Sequence, residues 1–227
     1  MTTNETEIMY STIQEAFDFF NQQLFRGELP SPIFTLQRKN KTAGYYSRKR
    51  FKEIYGERFV DEIALNPNCF VASGEIDIMQ TLVHEMCHMW QFHFGTPSRR
   101  SYHNREFAEK MKSVGLMPSA TGKVGGNETG QNMSDYPIPG GLFLRVFEAW
   151  KLRGKPIRWA SLEAFLRNQD PSIVSTLPDE VKVLTDERSQ RKSKFKFSCV
   201  CGQNAWAKQS AVLICGLCRK EMVRQSN

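Results

Sequence analysis

Long apolar runs are missing from this chain of 227 residues. No stretch approaches the about 18 uninterrupted apolar residues that a membrane-spanning helix needs. The amino-terminal segment also lacks the basic start, the apolar run and the small-residue cleavage pattern of a secretion signal. We therefore expect a soluble, cytoplasmic protein without membrane contact.

Acidic residues are nearly absent from the end of the chain. Residues 188–227 contain nine Lys and Arg and a single acidic residue, Glu221, whereas residues 1–187 contain 22 Lys and Arg and 23 Asp and Glu. The formal net charge of +7 therefore divides into −1 for the first part and +8 for the second. A local basic patch of this kind favours a polyanionic partner such as nucleic acid.

Cysteine is rare before residue 199, where the chain has only Cys69 and Cys87. The other four form a C-x-C-G and a C-x-x-C separated by 13 residues, and they are Cys199, Cys201, Cys215 and Cys218. Four thiolates on two tight turns can close a tetrahedral structural zinc site. This spacing predicts a zinc ribbon over residues 196–227, with a first pair that is tighter than the usual C-x-x-C. We expect Cys87 to be a small core side chain rather than a ligand.

Basic and aromatic residues alternate around the predicted ribbon. Lysine and arginine can neutralise phosphates while aromatic rings stack on bases. The candidate nucleic-acid contacts are Lys192, Lys194, Lys196, Trp206, Lys208, Arg219 and Lys220. The alternative is a purely structural zinc module with a solvated, charged tail. That alternative leaves Trp206 unexplained.

The run HEMCH contains a second candidate metal site. His84 and His88 are four residues apart, so on a helix both rings lie on one face and can bind one ion. Glu85 is offset by one position and can act as the general base for a water molecule. The division of roles is therefore ligand, base, ligand, as in zinc proteases.

A catalytic zinc needs a third protein ligand. The metzincin pattern requires glycine at position 91 and histidine at 94, where the chain has Gln91 and Phe94. His93 would lie about 180° around the helix from the metal face, which makes it a poor ligand. His103 follows a helix-ending Gly and Pro and can point back from the next helix start. Glu106 and Glu109 on that helix are the alternatives.

Apolar spacing predicts five helices, near residues 7–26, 75–92, 105–114, 142–152 and 160–168. Short strands are expected at residues 33–37, 43–47 and 62–66. Residues 117–141 are rich in Gly, Ser, Thr, Asn and Pro and are expected to form a loop that borders the cleft. This order of elements predicts an α+β domain over residues 1–178, a charged linker over 179–195 and the ribbon over 196–227.

Taken together, these motifs resemble the SprT-like family of zinc metalloproteases. The resemblance rests on AFDFFNQQLFRGELP, AGYYS, EIALNP, TLVHEMCHMWQ with YHNREF, and the terminal ribbon. The long loop PSATGKVGGNETGQNMSDYPI resembles that of bacterial members. The resemblance implies a zincin-like fold with His84, His88 and His103 as zinc ligands and Glu85 as catalytic residue.

The resemblance also implies cleavage of proteins bound or crosslinked to DNA, as in DNA–protein crosslink repair, by an enzyme with one catalytic and one structural zinc. In a bacterium such an enzyme would be associated with the nucleoid. Single-stranded or junction-like DNA is the expected nucleic-acid partner. Two alternatives stay open: a nucleic-acid-binding regulatory protein whose zincin site is vestigial or structural, and a regulatory protease that cuts one specific partner.

Overall fold

The structure, a computed structural model, describes residues 4–39, 42–99, 102–168, 176–181 and 194–225. The chain divides into two compact units, Met1–Gln169 and Asp170–Asn227. The predicted linker lies mostly outside the described residues, which omit 182–193. Within the described part of the chain, no helix is both long and apolar enough to cross a membrane.

The first unit is mixed α/β with small sheets. Its elements in chain order are helix α1 (Glu5–Leu24), strands β1 (Ile33–Leu36), β2 (Gly44–Lys52) and β3 (Phe59–Leu65), helices α2 (Phe70–Phe94) and α3 (Arg105–Ser113), strands β4 (Leu116–Ser119) and β5 (Ser134–Pro137), and helices α4 (Leu142–Lys151) and α5 (Leu162–Arg167). Each predicted helix and strand overlaps one of these elements.

Helix α1 begins where the sequence supplies a cap. The Asn4 side chain accepts a hydrogen bond from the Glu7 backbone N–H at 2.9 Å, which satisfies one free donor of the first turn. Its apolar face is buried in a core shared with α2 and α4. Phe20 of α1 lies 6.0 Å from Phe143 and 6.3 Å from Trp150, between ring centroids. This aromatic contact fixes α4 against α1.

Helix α2 contains the HEMCH run. Gly74 interrupts it with φ of 75°, so the regular helix that leads to the run starts at the following residue, as the sequence predicts. Leu82, Val83 and Met86 are buried in the core, and Cys87 is fully buried beside them. The buried Cys87 confirms its expected place in the core. One face of α2 is thereby fixed, and the histidines project from another.

Strands β1, β3 and β2 form a three-stranded sheet in that order. Strand β1 runs parallel to the central β3, and β2 runs antiparallel to it. Strand β2 therefore lies at one edge of the sheet. It also approaches α2 closely: a Cβ atom at Gly44 would lie 2.8 Å from the Ala64 carbonyl oxygen and 2.8 Å from Thr81 Cγ2. Glycine at this position allows β2 to pass beside the HEMCH turn.

The prediction of a continuous loop over residues 117–141 is wrong at both ends. Strands β4 and β5 pair there in antiparallel register, with Met117 opposite Tyr136 and Pro118 opposite Asp135. Each strand has four residues, and their sequences, LMPS and SDYP, contain proline and show no apolar alternation. Packing against the rest of the unit, rather than local propensity, therefore determines this pairing.

The second unit contains strands β6 (Phe195–Ser198), β7 (Asn204–Ala207) and β8 (Val223–Arg224). They form a sheet in the order β7-β6-β8. Its buried apolar cluster is small and consists of Phe197, Met222, Cys199 and Cys215. Because two of these four residues are cysteines, the interior of this unit coincides with its candidate metal site.

Candidate functional site

The three histidines predicted as ligands come together between α2, the loop before α3, and the segment before β5. The Nε2 atom of His103 lies 3.0 Å from Nε2 of His88 and 3.3 Å from Nε2 of His84. Two nitrogens bound to one tetrahedral zinc at about 2.0–2.1 Å each are separated by about 3.3 Å. The observed spacing therefore fits a zinc ion held by all three rings.

The outer nitrogens of these rings are fixed by other parts of the chain. Nδ1 of His84 lies 2.9 Å from Oδ1 of Asp135 on β5. Nδ1 of His103 lies 3.3 Å from the carbonyl oxygen of Gly130, and the backbones of these two residues form an isolated bridge. A proton on Nδ1 leaves the Nε2 lone pair free, which is the tautomer that a metal ligand needs.

Burial keeps two of the rings neutral. Desolvation and the neighbouring histidines hold the pKa of His88 well below its ordinary value, and desolvation and His84 lower the pKa of His103 to about 4. For His84, burial acts in the same direction, but the hydrogen bond and charge of Asp135 outweigh it and raise the pKa. Neutral rings can donate their lone pairs to a cation without first losing a proton.

A polar network positions the loop that leads back to His103. The buried Gln91 of α2 donates from Nε2 to Asn104 Oδ1 and to Glu106 Oε2, each at 2.7 Å. Glu106 also accepts the Thr96 backbone N–H at 2.8 Å. Asn104 in turn caps α3 by accepting the N–H of Phe107. This network holds Asn104, the residue after His103, and Thr96, near the end of α2, in fixed positions. It thereby positions His103.

Both alternatives for the third ligand are bound elsewhere. Glu106 belongs to the network with Gln91 and Thr96, and Glu109 pairs with Arg105 one turn earlier on α3 at 2.8 Å. His93 also lies away from the cluster, since its Nε2 atom is 2.7 Å from Oδ2 of Asp61 on β3. Among the described His, Cys, Asp and Glu residues, His84, His88 and His103 form the group in this unit whose possible ligand atoms all lie within 4.8 Å of one another.

Glu85 lies between the histidine cluster and β2. Its side chain is buried, and it accepts a hydrogen bond from the backbone N–H of Tyr46. Desolvation raises the pKa of Glu85 to about 7, against the opposing effects of His84 and of this hydrogen bond. A carboxyl group with a pKa near neutrality can both accept and return a proton at physiological pH.

The four cysteines of the second unit also converge. Sγ of Cys199 lies 3.2 Å from Sγ of Cys218, and Sγ of Cys201 lies 3.5 Å from Sγ of Cys215. All four sulfurs lie within 4.8 Å of one another. Backbone N–H groups of the C-x-x-C turn lower the pKa of Cys215 to about 6, which favours its thiolate. The tight C-x-C pair thus reaches the same point as the C-x-x-C pair.

The predicted nucleic-acid contacts of the ribbon are exposed where the structure describes them. Lys196 on β6 lies directly opposite Trp206 on β7, and the Trp206 side chain is 60% exposed. The other exposed members are Lys194, Lys208, Arg219 and Lys220. Lys192 lies outside the described residues. Phe197, the residue that follows Lys196, is buried in the small core of this unit.

Sequence reasoning did not identify Asp135, Gly130 or Gln91. Asp135 follows His84 by 51 residues, and only the expectation that residues 117–141 border the cleft pointed to this region. A single aspartate in a polar segment has no spacing signal, because the pairing of β4 with β5 is what brings it to the site. Gln91 offered a weak hint, since a buried polar residue on a helix requires a partner.

Replacing Asp135 with alanine should weaken metal binding at the histidine site by about 10–100-fold, since the loss of a carboxylate that orients a ligating histidine typically has this effect. Titration of the metal-free protein with zinc, in competition with a chelating dye, measures the change. Glu109→Ala is the matched control because it removes an exposed carboxylate on α3. Equal zinc affinity in both variants would show that Asp135 does not orient His84.

Comparison with known proteins gives two matches. A model of the SprT-like family matches residues 13–126. A Salmonella typhimurium protein named "Uncharacterized protein in mucB 3'region" is 50% identical over 54 residues, which are 24% of this chain and 73% of that protein. No solved structure matches the chain. The matched family segment includes Glu85 and the three converging histidines, and it ends before Asp135 and the cysteine cluster.

Proposed function

The chain belongs to the SprT-like family, and from this premise we propose that it is a zinc-dependent metalloendopeptidase that cleaves proteins bound to DNA. The observation that carries the proposal is the convergence of three imidazole Nε2 atoms beside a buried carboxylate. We further propose a zincin-like fold for the first unit, supported by α2 with its HEMCH run beside the edge strand β2.

In this proposal His84, His88 and His103 hold the catalytic zinc. Bound zinc is a Lewis acid that polarises a peptide carbonyl and favours its attack by water. The Glu85 carboxylate takes the proton of the attacking water and returns it to the departing amine. Asp135 and the Gly130 carbonyl keep two imidazoles in the tautomer and orientation that the ligand role requires.

Strand β2 supplies the proposed substrate position. It lies at the edge of the sheet, and its Tyr46 N–H is directed at Glu85 rather than at another strand. An extended peptide can align with such an edge by main-chain hydrogen bonds. Peptide binding along β2 would place the scissile bond beside Glu85 independently of most substrate side chains, which fits an enzyme with many protein substrates.

The DNA part of the proposal rests on the second unit. Its exposed Lys196 and Trp206 lie side by side on paired strands, which suits a phosphate and a stacked base of single-stranded DNA. We propose that the four cysteines hold a structural zinc there. DNA would then act as the common tether for enzyme and substrate.

The purified zinc-loaded chain should cleave a DNA-binding protein faster when single-stranded DNA is present than when it is absent. A gel assay with several DNA-bound proteins, their DNA-free forms, and a chelator control measures this. DNA binding without cleavage by the zinc-loaded chain would instead support a regulatory binding protein. Cleavage of one substrate alone, irrespective of DNA, would support a specific regulatory protease.

A further inference from the structure

A second basic surface occurs in the first unit. Residues 29–52 contain no Asp or Glu and seven Lys or Arg, although residues 1–187 together have a net charge of −1. The basic residues within the described part of this segment are all exposed: Arg38, Lys39, Arg48, Lys49, Arg50 and Lys52. Three of them are consecutive and lie in an irregular part of β2.

This irregularity is a bulge made only of basic residues. Ser47 pairs with Glu62 and Phe51 with Val60, so Arg48, Lys49 and Arg50 together lie opposite the single residue Asp61. We define these three residues as the basic bulge. A bulge of this kind turns side chains away from the regular alternation of the strand.

The buried Asp61 fixes the shape of the basic bulge. Its Oδ1 atom accepts the Lys49 backbone N–H at 2.6 Å, and its Oδ2 atom lies 2.9 Å from the Tyr46 hydroxyl and 2.7 Å from His93 Nε2. Lys49 has φ of 46°, a left-handed conformation that lysine rarely adopts. A backbone held in such a conformation by a fully paired buried carboxylate indicates a feature that the fold maintains.

Two arginines flank Lys49 in defined positions. The Arg48 guanidinium lies 5.1 Å from the ring centroid of Phe92 on α2. Arg50 Nε lies 3.8 Å from the buried carboxylate of Glu62, while its own side chain remains 65% exposed. The acidic residues that come next along the chain, Glu53 and Glu57, follow in the turn, where Glu57 pairs with Lys52. The outer surface of the basic bulge is therefore positively charged.

We propose that the basic bulge binds the phosphate backbone of single-stranded nucleic acid. Two guanidinium groups around one ammonium group suit phosphate oxygens, which arginine binds through paired N–H donors. An exposed ring follows in the same turn, since the Tyr55 side chain is fully exposed, and it can stack on a base. Charge and ring together favour nucleic acid over an acidic protein.

The position of the basic bulge gives this binding a consequence for the candidate active site. Arg48 follows Tyr46, whose N–H contacts Glu85, by two positions on β2. On α2, the contact between His93 and Asp61 lies about 12 Å along the helix axis from Glu85. Nucleic acid at the basic bulge would therefore run close to the cleft and keep its bound protein within reach. The binding itself does not depend on peptidase activity.

The test uses the full chain with Glu85→Gln, so that cleavage plays no part. The variant Arg48→Gln, Lys49→Asn, Arg50→Gln removes three charges, with asparagine at position 49 because it tolerates the left-handed conformation. The control Arg105→Gln, Lys123→Gln, Arg158→Gln removes three exposed charges elsewhere in the first unit. Fluorescence anisotropy with labelled oligodeoxythymidine is recorded over a range of salt concentrations.

We expect the bulge variant to bind the oligonucleotide at least tenfold more weakly than the control. Its slope of log affinity against log salt should be smaller by about 2, as for three lost contacts to a single strand. Polyglutamate should compete poorly with the oligonucleotide for the unsubstituted chain. The proposal would be overturned if the bulge variant and the control bound the oligonucleotide with equal affinity and equal salt slope. It would also be overturned if the bulge substitutions weakened only the binding of polyglutamate.

Acetylation of the chain without bulge substitutions gives a second measurement that does not depend on how the variant folds. Bound oligonucleotide should protect Lys49 from acetylation by at least several-fold, as read by mass spectrometry, while Lys123 should remain reactive. Protection of ribbon lysines without protection of Lys49 would overturn the proposal and leave a DNA-binding ribbon intact. A failure of this proposal can thus be distinguished from a failure of the proposed function.

Discussion

Replacing Glu85 with glutamine should leave zinc bound and slow peptide cleavage by about two to four orders of magnitude, which is the usual contribution of a general base. Glutamine keeps the size of the side chain and an oxygen that can accept the Tyr46 N–H. It cannot take a proton from water. The change therefore removes proton transfer and leaves the geometry of the cluster in place.

Thermal unfolding of the Glu85→Gln variant provides a second measurement beside the cleavage assay. Burial disfavours the charge on Glu85, so the neutral amide should not lower the unfolding temperature. Glu109→Gln, which alters an exposed carboxylate on α3, is the matched control and should keep full activity. Undiminished cleavage by the zinc-loaded Glu85→Gln variant would exclude Glu85 as the base. Loss of zinc would show that its role is structural.

The part of the site within one helix could be predicted from the sequence because helical spacing alone determines it. His84 and His88 lie on the same face of α2 wherever this helix packs in the fold, and His93 must lie on another face. His103 required one further inference, that the chain turns back after Gly95 and Pro97. The structure brings its Nε2 atom to the other two histidines.

The rest of the site depends on pairings between distant segments. Asp135 reaches His84 because β5 pairs with β4, and the sequences of these short strands show no strand pattern. The basic bulge depends in the same way on a two-residue offset between β2 and β3, together with one aspartate on the opposite strand. Composition revealed the positive charge of that segment, whereas only the register shows which residue holds its backbone.

Cys215→Ser should reduce bound zinc from two ions per chain to one and unfold the ribbon. The apolar interior of this unit consists of Phe197, Met222 and two cysteines, and its described ribbon spans only residues 194–225. Modules below about 40 residues usually need a metal, disulfides or a partner to fold. Zinc analysis by mass spectrometry, with amide hydrogen exchange across residues 194–225, measures both effects.

The remaining zinc should belong to the histidine site, because the two ligand sets share no residue. Adding His88→Ala to Cys215→Ser should therefore remove it and leave a zinc-free chain. Cys69→Ser is the matched control, since Cys69 lies in neither cluster, and it should retain both ions and a protected ribbon. Two ions in Cys215→Ser would show that these cysteines do not bind zinc. Loss of both zinc ions in Cys215→Ser would show instead that metal binding at the histidine site requires the ribbon.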